Sequence, residues 1–147
     1  MVEVKFDKPL IAMFLSIIGA IPAGIFSEIM IYFRFTTISA PKATSMMFIR
    51  EGSLALGVLS HIGYSAILGL FLYYTPKFVG IDHYLIKAVF ISMFAEAILF
   101  IVFGTFMRNE YMIQNASGNY SQASAAAIAG LVRGYLIKRY LFGKPNS

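Results

Sequence analysis

Four stretches of this sequence, 10–33, 52–74, 86–107 and 121–142, are each about twenty residues long and built mainly of apolar or small residues. A helix rises about 1.5 Å per residue, so about 20 residues cross a hydrocarbon core of about 30 Å. Charge supports the same reading. Only 13% of the 147 residues are charged, against about 25% in a soluble domain, which is too few to cover a water-facing surface. A soluble globular enzyme, a disordered tail and a nucleic-acid-binding domain are all excluded. The expected class is all-α: an integral membrane four-helix bundle forming a single transmembrane domain over 1–147, with the lipid bilayer as its first partner and no nucleic acid among its partners.

The first run follows Lys5 and Lys8 and contains the small-residue segment 20–24, features it shares with a signal peptide. At 24 residues it exceeds a signal h-region of about 7–15, and Pro22 sits where a cleavage site would want another residue. It is read as a retained helix bent at Pro22. A polar connection follows, with a short apolar patch at 46–49 that is too short to span and is placed at the interface. The second run is closed by Thr75, Pro76 and Lys77, and the third lies between Lys87 and Arg108. The fourth run is rich in Ala and Gly and contains Arg133. It gains little from transfer into lipid and is expected to insert because the other three receive it.

Basic residues set the orientation. Lys5, Lys8, Lys77, Lys87, Lys138, Arg139 and Lys144 fall on one side, and Arg34, Lys42, Arg50 and Arg108 on the other. The positive-inside tendency then puts both termini in the cytoplasm of a multi-pass plasma-membrane protein. The 107–121 loop faces outside, where Asn115-Ala-Ser117 and Asn119-Tyr-Ser121 match the glycosylation sequon as chance would allow in an Asn/Ser-rich loop. Anionic lipid is the expected counterpart of the basic residues.

Each run carries an ionisable residue on a stripe of small or polar residues spaced four apart. These stripes are Ser16, Ala20, Gly24 and Glu28; Ser53, Gly57, His61, Ser65 and Gly69; Ser92, Glu96 and Gly104, interrupted by Phe100; and Ser121, Ala125, Ala129 and Arg133 beside Ala126, Gly130 and Gly134. Residues four apart share a helix face, and small residues there let helices approach closely in lipid. Gly24, Gly57, Gly104, Gly130 and Gly134 are therefore candidate packing positions. Glu28, His61, Glu96 and Arg133 form a candidate intramembrane polar cluster. Counted from the outer end, they lie roughly 8, 12, 16 and 18 Å deep. Glu96 and Arg133 are nearly level and are expected to pair, offsetting part of the roughly 2.5–3.5 kcal/mol of a lone central charge. His61 lies between the two carboxylates in depth.

Each of these residues also has a plainer role open to it. Glu96 with Arg133 serves equally well as a structural lock or a transport element. Glu28 can snorkel to interfacial water or Arg34, and His61 can be neutral and bonded to a backbone carbonyl. Asp82 and His83 read as solvated loop groups, since no third ligand stands at metal-binding spacing. Cys is absent, which removes disulfides and thiolate chemistry. Ser60 and His61 point about 100° apart on a helix and cannot be a nucleophile and its base. No metal, cofactor or catalytic motif is present, so the protein is expected not to be an enzyme.

The segment Tyr32-Phe-Arg-Phe-Thr-Thr-Ile-Ser39 resembles the Tyr-x-Phe-x-Phe-Thr-type segment of the YqhR-like small membrane proteins of Gram-positive bacteria, with the 19–24 region before it and the hairpin after it fitting the same pattern over the first half of the chain. That resemblance implies four spans and no activity. Chain length and a membrane Glu also invite comparison with small multidrug transporters, but the Trp-containing pattern of that group is missing, there being no Trp here. Two functional expectations follow. One is a non-catalytic protein, an accessory subunit or a ligand- or stress-responsive bundle that is homo-oligomeric or bound to a membrane-protein partner. The other is a proton-coupled transporter or channel using Glu96 and His61.

Overall fold

Polar residues at the helix starts take up amides that the first turn leaves free. Asp7 accepts from the Leu10 amide at 3.2 Å, Ser53 from Leu56 at 3.5 Å and Asn115 from Gly118 at 2.8 Å. These caps open α1 (Lys8–Tyr32), α3 (Leu54–Val79) and α5 (Ala116–Ile137) in the computed structural model, which describes residues 7–143. A short α2 (Ala40–Ser45) precedes α3, and α4 (Tyr84–Phe100) continues as a wider π-helical segment, Ile101–Phe106. The residues after α5, Lys138–Phe142, widen in the same way. Among the described residues every regular element is a helix. Lys5 and Lys144, counted above among the basic residues, lie outside the described residues.

Three helices are long and apolar enough to cross a membrane: Lys8–Tyr32, Leu54–Val79 and Tyr84–Phe106. Each presents large apolar side chains outward, among them Phe14 and Ile25, Leu59 and Phe71, and Phe90 and Phe94. The α5 helix is less apolar and is the most enclosed. Ten of its 22 residues are buried, against six of 25 in α1, because it packs between α1 and α4 while α3 lies on α1.

Small residues set these crossings. A Cβ on Gly130 would stand 2.7 Å from the Ala88 carbonyl oxygen and the Val89 Cα, and one on Gly134 would stand 2.6 Å from the Ala88 Cβ. Gly57 meets the Pro41 backbone, so three of the expected packing glycines sit at crossings. Gly24 has open space beside it and Gly104 has only an ordinary contact with Met112, so neither does. Gly19 and Gly69 make close approaches instead, to Arg133 on α5 and to Ala12 and Ser16 on α1. Rotation explains the failure at Gly24. Four residues turn a helix about 40° past a full circle, so the stripe that begins inward at Ser16 has left the interior by Gly24 and Glu28. The stripe is still buried at Ala20, and the rest of the buried set on α1 steps by three and four: Ala12, Ser16, Gly19, Ala23, Ser27.

Two boundaries differ from the expectation. The α3 helix does not close at 74; it runs through Pro76 to Val79 and stops at Gly80, whose φ of +73° suits a residue without a side chain. The connection after α1 does not simply cross the surface either. It folds back so that α2 packs on α3. The Ala40 amide donates to Ser27 Oγ at 3.1 Å, and the Thr44 hydroxyl donates to the Gly57 carbonyl at 3.2 Å. Of the 46–49 patch, Met46, the C-cap of α2, is buried in a cluster with Leu99 and Met112, and Met47, Phe48 and Ile49 remain exposed.

The connections at this end also hold one another. Asn109 Nδ2 donates to the Arg50 carbonyl and Arg50 Nη2 donates to the Arg108 carbonyl, each at 3.0 Å. Gln122, buried on α5, donates to the Ile38 carbonyl at 2.6 Å.

Candidate intramembrane polar site

The packing of α2 on α3 brings Ala40 to the wall of a small chamber. Its walls come from α1 (Ala23), α3 (His61 and Tyr64), α4 (Ser92 and Glu96) and α5 (Ala125, Ala126, Ala129 and Arg133). Its volume is about 10 Å³. Three of the four residues expected to form the cluster, His61, Glu96 and Arg133, therefore meet around one space.

Glu28 does not join them. It lies on the exposed face of α1, while Ser27 turns inward and donates to the Gly24 carbonyl at 2.8 Å. The rotation that displaces Gly24 displaces Glu28 further.

Arg133 is 2% exposed. Its Nε donates to the Ser16 carbonyl of α1 at 3.3 Å, and its Nη2 donates to the Ser65 hydroxyl of α3 at 3.0 Å. Ser65 sits between Arg133 and α1, since the Ser16 hydroxyl donates to the Ser65 carbonyl at 2.6 Å. The guanidinium therefore fastens α5 to the crossing of α1 with α3. A close approach helps position it: a Cβ on Gly19 would stand 2.8 Å from Arg133 Cγ.

The expected direct pair between Glu96 and Arg133 is replaced by this arrangement. Among the described residues no hydrogen bond joins them, although both line the chamber. Equal depth placed them level, but α5 directs the guanidinium toward α1 and α3 rather than toward α4. Glu96 instead receives the Tyr64 hydroxyl at 3.5 Å, the outer limit of a hydrogen bond.

His61 finds no backbone carbonyl. Neither ring nitrogen has a partner among the described residues, and neither does the Ser92 hydroxyl. The His61 ring lies 6.1 Å from that of Tyr64, one helical turn away. His61 also lines a second space, an apolar groove of about 270 Å³ between α1 and α3 that Gly24 leaves open.

Tyr64 and Ser92 are candidate-site residues that the charge pattern missed. Ser92 already stood in the stripe that carries Glu96. Tyr64 stands three residues from His61 on the same face, and that spacing is the signal that could have found it. No group of three or more metal-ligating side chains occurs among the described residues. Asp82 and His83 are both exposed in the turn before α4. Compared with known protein families, curated proteins and solved structures, the chain matches none.

Proposed function

We propose that this chain is a non-catalytic polytopic protein of a bacterial plasma membrane, an accessory subunit or a ligand- or stress-responsive bundle. In this reading α1, α3, α4 and α5 each cross the bilayer, both termini face the cytoplasm, and the outward apolar residues meet lipid or a second membrane protein, including a further copy of the chain. Kinship with the YqhR-like proteins, suggested by the 32–39 segment, belongs to the same proposal.

The observation that carries it is the setting of Arg133. A helix as weakly apolar as α5 gains little from lipid, and an unpartnered guanidinium would oppose its insertion. Arg133 is instead bonded to α1 and α3. A charge held by two partners on other helices ties the bundle together and is poorly placed to move with a transported ion.

A second reading, proton-coupled transport through His61 and Glu96, is favoured by the unpartnered His61 nitrogens beside the Glu96 chamber. One experiment separates the two. Purified protein is reconstituted in liposomes containing a pH-sensitive dye, and a proton gradient is imposed. The non-catalytic reading expects dye response equal to that of protein-free liposomes, unchanged in Glu96→Gln and His61→Ala. A flux that these two variants abolish would establish transport instead.

A further inference from the structure

Several chamber groups have hydrogen-bonding capacity that the protein itself leaves unused. Ser92 is 1% exposed, and its hydroxyl has no partner among the described residues. The two ring nitrogens of His61 also have none, and Glu96 has only the long contact from Tyr64. Leaving buried polar groups unpaired carries their full desolvation penalty, and native proteins rarely accept it at several neighbouring atoms. The residues that carry these atoms line one space of about 10 Å³, which is about what a single water requires.

We propose that the chamber is a binding site for one water molecule, which links His61 and Ser92 to Glu96 and Arg133. Valence supports this occupant. Water donates two hydrogen bonds and accepts two. It can donate to a His61 ring nitrogen and a Glu96 carboxylate oxygen while accepting from the Ser92 hydroxyl and an Arg133 N–H. Charge supports it as well. The chamber holds one guanidinium and one carboxyl group, so a neutral ligand adds no further charge. A halide or a metal cation would leave net charge in a poorly solvated space. The bound water then couples two side chains, Glu96 and Arg133, that no direct hydrogen bond joins. This site goes beyond the functional reading above, because it holds whether or not the protein moves protons.

The test is water-edited solid-state NMR on full-length protein in lipid bilayers, with nitrogen-labelled histidine. The chain has two His residues, and His83→Asn assigns the other signal, since His83 is exposed in a turn. Rapid transfer of magnetisation from long-lived water to the His61 nitrogens is expected. Ala126→Val, which adds bulk to the chamber wall, should abolish it. Ser92→Ala, which removes one bond without filling the space, should shorten the water's residence roughly fivefold, and it keeps the test decisive if the valine variant does not fold. Absence of water transfer at His61 in the unmodified protein would overturn the proposal. So would a His61 shift on adding sodium fluoride or sodium chloride that saturates with salt, since the ligand would then be an ion. Neither result bears on liposome flux, so this proposal and the functional reading fail separately.

Discussion

The Tyr84 hydroxyl donates to the Leu72 carbonyl at 2.9 Å, joining the first residue of α4 to the last turns of α3. An amide at position 76 would ordinarily take the Leu72 carbonyl, and position 76 is proline. Tyr84, at 0% exposure, supplies the missing donor from the neighbouring helix. The same aromatic contact gathers the end of the chain: Phe142 meets the Tyr84 ring edge-on at 5.6 Å and stacks on Tyr73 at 5.8 Å. The proline inside α3 is tolerated because another helix repairs the carbonyl it frees.

Removing only that hydroxyl, in Tyr84→Phe, should cost about 1 kcal/mol, since a buried carbonyl loses its partner while the ring packing survives. Pro76→Ala restores an amide to the same carbonyl, so the Tyr84→Phe loss should shrink to a small fraction in that background. A double-mutant cycle read by reversible unfolding in mixed micelles decides it. Equal losses in the two backgrounds would mean that the tyrosine does not answer the proline.

Arg133 reaches two partners on two helices through different nitrogens. A lysine ammonium is a single point and cannot span them, so Arg133→Lys should lose about 1 kcal/mol. Arg133→Met should lose about 3 kcal/mol, because it also leaves Glu96 in the chamber without an opposite charge. Adding Glu96→Gln to the methionine variant should recover about half of that loss. Thermal stability in detergent gives the comparison, and strict additivity of the two substitutions would show that the charges are not coupled.

The glycines divide into two kinds with opposite outcomes. At Gly130 an added methyl meets the backbone of Ala88 and Val89 at 2.7 Å, which cannot yield without moving α4. Gly130→Ala should therefore destabilise by about 1–3 kcal/mol. At Gly24 nothing lies within 4 Å of the added carbon, so Gly24→Ala should be neutral or stabilising by up to about 1 kcal/mol through helix propensity. If both variants unfold alike, the crossing of α4 with α5 is not set by this contact.

Apolar length and small-residue spacing made much of the helical architecture readable from the residues alone. The stripes of α5 hold along their whole length because that helix is covered on both flanks, so drift around its axis still meets a neighbour. On α1, covered over a narrower arc, the same drift carries Gly24 and Glu28 out of the interior. Depth along an axis could be estimated from residue counts, but direction around it could not, and for that reason the level pair Glu96 and Arg133 does not bond directly. The α2 helix left little local trace. It has six residues, and it is held in place where the Ala40 amide donates to Ser27 Oγ and the Thr44 hydroxyl donates to the Gly57 carbonyl. Partners such as the Ser16 carbonyl carry no charge and no distinctive spacing, so the tie at Arg133 emerges only once three helices are in contact.

The fourth crossing is testable because the chain has no cysteine, so any single one introduced reports alone. Tyr111 and Tyr140 are 50% and 63% exposed, and Asp82 is exposed in the turn before α4. If α5 crosses the bilayer, Tyr140 lies on the same side as Asp82 and opposite Tyr111. In the proposed orientation that side faces the cytoplasm. Tyr111→Cys should then react with a membrane-impermeant maleimide in intact cells, whereas Asp82→Cys and Tyr140→Cys should react only after permeabilisation. Labelling of Tyr140→Cys in intact cells together with Tyr111→Cys would show that α5 returns without crossing. The bundle would then have three spans, with its least apolar helix packed against them from one side.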